Sequence, residues 1–160
     1  MVEEKDLEKV GYLCVVKILE ARDLKGEYAG MNPHVKITVG NLEPQQTKTM
    51  ENTAFAIWNQ SFTFPDLMLN KYELETFELN LQVFDQHSWF TNSEIGSYSI
   101  GLSTMYRFPS SEIYKKWLRL SKPETPTIVV GYIQVSCFIV GPGQEPPVHE
   151  TGEDDGEGDE

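Results

Sequence analysis

The side chains with the most specific chemistry in this chain are three histidines, two cysteines, an aromatic pair and a short basic cluster. His34, His87 and His149 lie on separate stretches, and no two stand at the spacing a metal site uses. Cys14 and Cys137 both sit inside apolar runs, YLCVVKIL and GYIQVSCFIV, where a thiol is a buried hydrophobe kept reduced. The sequence contains no Gly-x-Ser-x-Gly, no phosphate-binding P-loop and no Gly-x-Gly-x-x-Gly. These observations predict a chain that is not an enzyme. Trp89 and Phe90 are adjacent in the polar run QHSWFTN. An aromatic pair in such a setting either packs back onto the body or meets a bilayer or protein partner. Lys115, Lys116, Arg119 and Lys122 form the one basic cluster, either a solvated face or a headgroup site.

The bulk numbers set limits on these options. The chain has 160 residues, 39% of them apolar and 11% aromatic, which suits one domain with a real core. Its 25 acidic and 13 basic residues give −12. Eight of the acids fall between Glu145 and Glu160, so residues 1–144 carry only −4. A broad nucleic-acid-binding face is therefore not expected. No apolar run approaches membrane-spanning length. The charged start, MVEEKDLEK, does not resemble the apolar core of a secretory signal, so a cytoplasmic location is expected.

The candidate residues need elements to position them. Short apolar runs, most alternating with period two, mark strands at Tyr12–Leu19, His34–Val39, Ile57–Phe64, Phe77–Phe84, Ile95–Leu102, Lys116–Leu120 and Gly131–Val140, and the short polar run Gln46–Met50 reads as an edge strand. Pro65 is expected to stop the fourth. Helical turns are expected over Asp66–Glu75 and over Ser110–Lys115, the latter behind a serine cap. The pattern predicts an all-β, eight-stranded antiparallel sandwich with one or two short helices. Residues 1–10 read as a charged lead-in and 11–141 as the domain. Residues 142–160 read as a Pro/Gly exit followed by an acidic tail too polar to order itself.

Several strings in this frame resemble a known family. Asn32-Pro33-His34-Val35-Lys36, Trp58-Asn59-Gln60-Ser61-Phe62-Thr63-Phe64, and Val83-Phe84-Asp85 followed by Glu94-Ile95-Gly96 resemble strings of C2 domains. The closing strings, Lys116-Trp117-Leu118-Arg119-Leu120, Gly131-Tyr132-Ile133-Gln134-Val135-Ser136 and Gly141-Pro142-Gly143-Gln144-Glu145-Pro146-Pro147, are similar to the end of the second C2 domain of ferlins. Only ten residues, most of them charged, precede Gly11, and a long strand closes the fold. That order matches the permutation called type II.

The resemblance implies a calcium site on loops at one end of the sandwich, and five acidic positions for it. Here they fall near Glu27, on Asn32, on Asp85, on His87 and on Ser93. Glu27, Asn32 and Asp85 are the only candidate ligands. Calcium wants six to eight oxygens with several charges, so no metal or other cofactor is expected. The same loops carry Tyr28, Met31, Trp89 and Phe90, the expected contacts for a membrane or partner. The resemblance implies a module of a larger, membrane-anchored protein in membrane traffic or vesicle fusion, monomeric by itself. It would meet a phospholipid surface or another protein domain without calcium. A purely protein-binding scaffold and a calcium-dependent lipid sensor are the alternatives.

Overall fold

The computed structural model of the chain describes residues 3–28, 30–88 and 91–149. A short 3-10 turn, Glu4–Leu7, leads into eight strands: β1 (Val10–Arg22), β2 (Pro33–Val39), β3 (Gln45–Gln46), β4 (Ala56–Leu69), β5 (Glu78–Gln86), β6 (Asn92–Gly101), β7 (Glu112–Leu120) and β8 (Gly131–Val140). They form two antiparallel four-stranded sheets, ordered β4-β1-β8-β7 and β3-β2-β5-β6. The last strand enters between the first and the seventh, as the type II order requires. Strand alternation turns Val16 and Ile18, Val35 and Ile37, Leu79 and Leu81, and Ile133 and Val135 inward, all fully buried or nearly so. These side chains fill the space between the sheets.

The thiols lie in this core as free, buried groups. Burial pushes Cys14 up to about 12, and it raises Cys137 as well, whose Sγ lies 3.4 Å from Met105 Sδ.

Three local expectations are corrected. Pro65 does not stop β4, which continues to Leu69. Between the pairs Cys14–Phe64 and Tyr12–Leu67 the register shifts, so Pro65 and Asp66 form a bulge opposite Leu13. β4 lies at the sheet edge, where a missing N–H costs no ladder bond. The helix expected over Asp66–Glu75 is accordingly shorter and later, α1 (Lys71–Thr76). Asn70 accepts from the Glu73 N–H while Glu73 reaches back to the Asn70 N–H, so each end of the turn caps the other. The helix expected over Ser110–Lys115 is a single 3-10 turn, Pro109–Ser111. Ser110 and Ser111 have φ of 57° and 53°, and β7 starts at Glu112. A helix that no signal marked, α2 (Leu102–Tyr106), buries Leu102 and Met105 beneath the sandwich edge.

The strand directions decide where the candidate residues meet. β1, β5 and β7 end, and β2, β4, β6 and β8 begin, at one pole of the sandwich.

Candidate functional site

At that pole Asp85 is the organising group. It is only 2% exposed. Its Oδ1 accepts the Asn32 N–H at 2.8 Å, and its Oδ2 lies 3.8 Å from His87 Nδ1. Asn32 then ties three segments together. Its Nδ2 donates to the Gln86 carbonyl at 3.0 Å, its carbonyl accepts the Gln86 N–H, and its Oδ1 accepts the Asn52 N–H at 2.8 Å. His87 Nε2 lies 2.9 Å from Ser93 Oγ, and its ring stands edge-on to Tyr28 with centroids 4.8 Å apart. Four of the five positions implied for calcium ligands are thus bonded to protein. Asp85 binds Asn32, and His87 binds Ser93. The fifth, Glu27, is an exposed loop carboxylate. Among the described residues no three of His, Cys, Asp and Glu stand together as a metal cluster.

Beside this network an open cleft of about 670 Å³ is lined by Asn32, Gln46, Thr49, Glu51, Gln86 and His87. Its lining is amide, hydroxyl, one imidazole and one carboxylate.

The expected contact residues divide. Tyr28 is 56% exposed. Met31 is corrected: it is 7% exposed, and its thioether lies under Gly26, where an added Cβ would come within 2.5 Å of the sulfur. An apolar side chain in a polar loop reads as a contact, but here it plugs the gap between loop and sandwich. Trp89 and Phe90 lie outside the described residues. Three exposed apolar side chains at this pole carried no sequence signal: Phe55, Ile57 and Ile128, each more than half exposed. In the sequence they look like ordinary strand and loop residues. Only the edge position of β4 and the turn at Thr125–Ile128 bring them outside. Arg22 reaches across the outer face of the first sheet, its guanidinium 4.6 Å from the Trp117 ring and 5.6 Å from Phe55.

The basic cluster is not one patch. Lys116 shares its side of β7 with buried Leu118 and Leu120, whereas Trp117 and Arg119 project the other way. Lys115 occupies a bulge, with φ of 48° and its N–H bonded to Ser136 Oγ. The outer face of the second sheet pairs Lys36 with Gln82 and Gln46, Thr38 with Asn80, and Asn80 with Ser99. A face with one lysine among amides and hydroxyls offers little to an anionic headgroup. His34 lies on that face, 3% exposed and stacked on Phe84, with Nδ1 unpartnered, and burial lowers its pKa.

The sequence matches the C2 domain family over residues 12–120. It is 48% identical over 155 residues to Ferlin 2 of Tetrahymena thermophila, covering 94% of this chain and 9% of that protein. It is 30% identical over 134 residues to human Myoferlin, covering 82% of this chain and 6% of that one. The chain therefore spans less than a tenth of the length of these relatives. Among solved structures, a multidomain piece of Extended-Synaptotagmin 2, with its SMP domain and two C2 domains, superposes with a TM-score of 0.66 at 20% identity, over 85% of this chain and 29% of that one. A C2 domain of plant Extended Synaptotagmin 1 gives 0.62 at 20% identity, over 88% of this chain and 98% of that one. These two likenesses establish the fold.

Proposed function

The chain belongs to the C2 domain family, with the sequence of a ferlin-type C2 domain, and from that premise we propose that it is a non-enzymatic, calcium-independent contact module for phospholipid surfaces. It would serve membrane traffic or fusion at the cytoplasmic side of a larger protein. The observation that carries the reading is the loop pole itself. Its ligand positions bond one another, while Tyr28, Phe55, Ile57 and Ile128 stand exposed around them. A calcium-dependent domain leaves carboxylates free to be bridged by the ion. Here the one buried carboxylate holds an Asn32 N–H instead. Contact would then draw on apolar burial, about 1.5–3 kcal/mol for each large side chain taken fully out of water. Tyr28 suits the interface, having an apolar ring and a polar tip.

Co-sedimentation with phosphatidylcholine vesicles, and with vesicles also containing phosphatidylserine, tests this with and without calcium. Binding should be equal in the two conditions. It should fall in Tyr28→Ala/Phe55→Ala/Ile128→Ala, and in Trp89→Ala/Phe90→Ala, with folding intact. Binding only with calcium would make the domain a calcium sensor. Absence of binding to every vesicle would leave the protein-docking scaffold, for which the Arg22–Trp117–Phe55 stack is the surface to probe.

A further inference from the structure

We propose that the outer face of the first sheet docks an acidic peptide segment of another protein, gripped by Arg22 and Arg119 over an aromatic floor. The strand register builds this surface. Tyr132 on β8 lies opposite Arg22 of β1 on one side and Arg119 of β7 on the other. Two residues along, Gln134 lies between Glu20 and Trp117. The intervening Ala21, Ile133 and Leu118 are buried in the core, so these six point outward. The two arginines start about 10 Å apart, two strand spacings. Arg22 then crosses β8, since its guanidinium lies 4.6 Å from the Trp117 ring. Both positive charges therefore gather over β7 and β8.

The pair is short of counter-charge. Glu20 takes the Nε of Arg22, at 3.3 Å. Among the described residues Arg119 has no acidic side chain within ion-pair distance, and neither Asp23 nor Glu124 reaches a guanidinium. β8 carries no charged residue, and the one acid of β4, Asp66, sits in the bulge opposite Leu13 at the other end of the sheet. Glu112, at the far end of β7, is engaged by His149. In a chain of net charge −12, two guanidiniums sharing one carboxylate are a local excess of positive charge. An incoming carboxylate fits them, because a guanidinium fork donates two parallel N–H bonds to it. The Trp117 ring holds the Arg22 fork in place beforehand, so less freedom is lost on binding. Exposed Ile57, opposite Glu20 on β4, extends the floor for an apolar neighbour of the acid. Composition favours a peptide over a bilayer. Anionic leaflets are met by clusters of several lysines, and Lys17 is the one lysine on β1, β4 and β8. Trp, Tyr and Arg are the side chains that dominate protein–protein contacts.

The test titrates the whole chain with a synthetic glutamate peptide carrying one central phenylalanine, and with the same peptide in which glutamines replace the glutamates. Backbone amide shifts are recorded at about 0.05 M and about 0.5 M salt. The glutamate peptide alone should give saturable shifts at Glu20–Arg22, Trp117–Arg119 and Tyr132–Gln134, and should bind at least about tenfold more weakly at the higher salt. Arg119→Gln, a change at an exposed side chain, should weaken binding about tenfold with Tm unchanged. Glu20→Gln frees the Arg22 Nε and should tighten binding, the opposite of what a loosened fold would do. Lys116→Gln, on the other row of β7, should change it less than about twofold. Equal binding of the glutamine peptide, no saturable shift, shifts centred on Lys36 or Lys116, or undiminished binding by Arg119→Gln would overturn the proposal. So would the same residues responding to phosphatidylcholine–phosphatidylserine vesicles and not to the peptide, or shifting when the chain alone is concentrated. The first would make the face a bilayer contact, the second an interface between copies. The peptide arms contain no lipid, so their outcome is separate from the lipid-contact reading of the loop pole.

Discussion

Replacing Asp85 separates a structural carboxylate from a metal ligand. In Asp85→Ala the half-buried Asn32 N–H, bonded to Asp85 Oδ1 at 2.8 Å, loses its acceptor. Leaving such a donor unsatisfied costs about 1–3 kcal/mol, toward the upper end when the lost partner was charged. The Asn32 side chain, which ties Gln86 to Asn52, loses its anchor at the same time. About 2 kcal/mol is therefore expected. With an unfolding entropy of about 0.3 kcal/mol per degree for a chain of this size, Tm should fall by about 6 °C. Asp85→Asn keeps an oxygen for the N–H and should lose less than half as much. The same melts in about 1 mM calcium supply the control. A site with a dissociation constant of about 10 µM would add about 2.7 kcal/mol, or about 8 °C. The expected shift is below about 1 °C for the unaltered chain and both variants. A rise of several degrees with calcium that Asp85→Ala abolishes would refute the reasoning, and so would an Asp85→Ala melt identical to the original.

Other outcomes follow from the same structure. Met31→Ala should destabilise by about 2–5 kcal/mol as a buried large-to-small change, whereas Tyr28→Ala should stay within about 0.5 kcal/mol, both read from denaturant midpoints. Asn70→Ala removes the side-chain half of the α1 cap and should cost about 1 kcal/mol. The hydrogen bond to the Asn70 N–H holds Glu73 below its ordinary value, helped by Lys9. That contribution is present above pH ~4.5 and drains away as pH falls below it, so Glu73→Gln should flatten the acid limb of a stability–pH curve. Cys14 and Cys137 should resist alkylation at pH ~8 in the folded chain and react at once in denaturant, measured by mass shift. Fast labelling of the native protein would mean the sandwich opens.

Most of the scaffold is legible in the sequence because a sandwich strand declares itself by alternation. Phe77–Phe84 places Leu79, Leu81 and Val83 on one side, and the sheet buries those three. Legibility fails where a residue's meaning depends on its neighbours in space. Pro65 reads as a stop because a central strand could not hold it, and nothing local says that β4 is an edge. Ser110-Ser111 reads as a helix cap, yet both residues take left-handed backbone to turn the chain into β7. At the site, the resemblance to C2 domains lines up Asp85, Asn32, His87 and Ser93, but not their bonding to one another. That bonding requires β2, β5 and β6 to converge. Phe55, Ile57 and Ile128 escape notice for the opposite reason, since an apolar residue near a strand start looks like core until the edge is known.

β1 and β8 are antiparallel neighbours, with Leu13 opposite Val140, so the entry and the exit of the sandwich lie side by side. Both are at the pole away from Tyr28 and Asp85. Whatever precedes and follows this domain in a chain is thereby tethered at one point, and the domain hangs from it like a bead on a loop of thread. Pulling on both threads loads only the β1–β8 seam and leaves the far pole mechanically idle. The loops can meet a surface head-on while the entry and exit of the sandwich stay a strand length behind. A second such domain in series could swivel about the shared tether without sweeping across the contact face of the first.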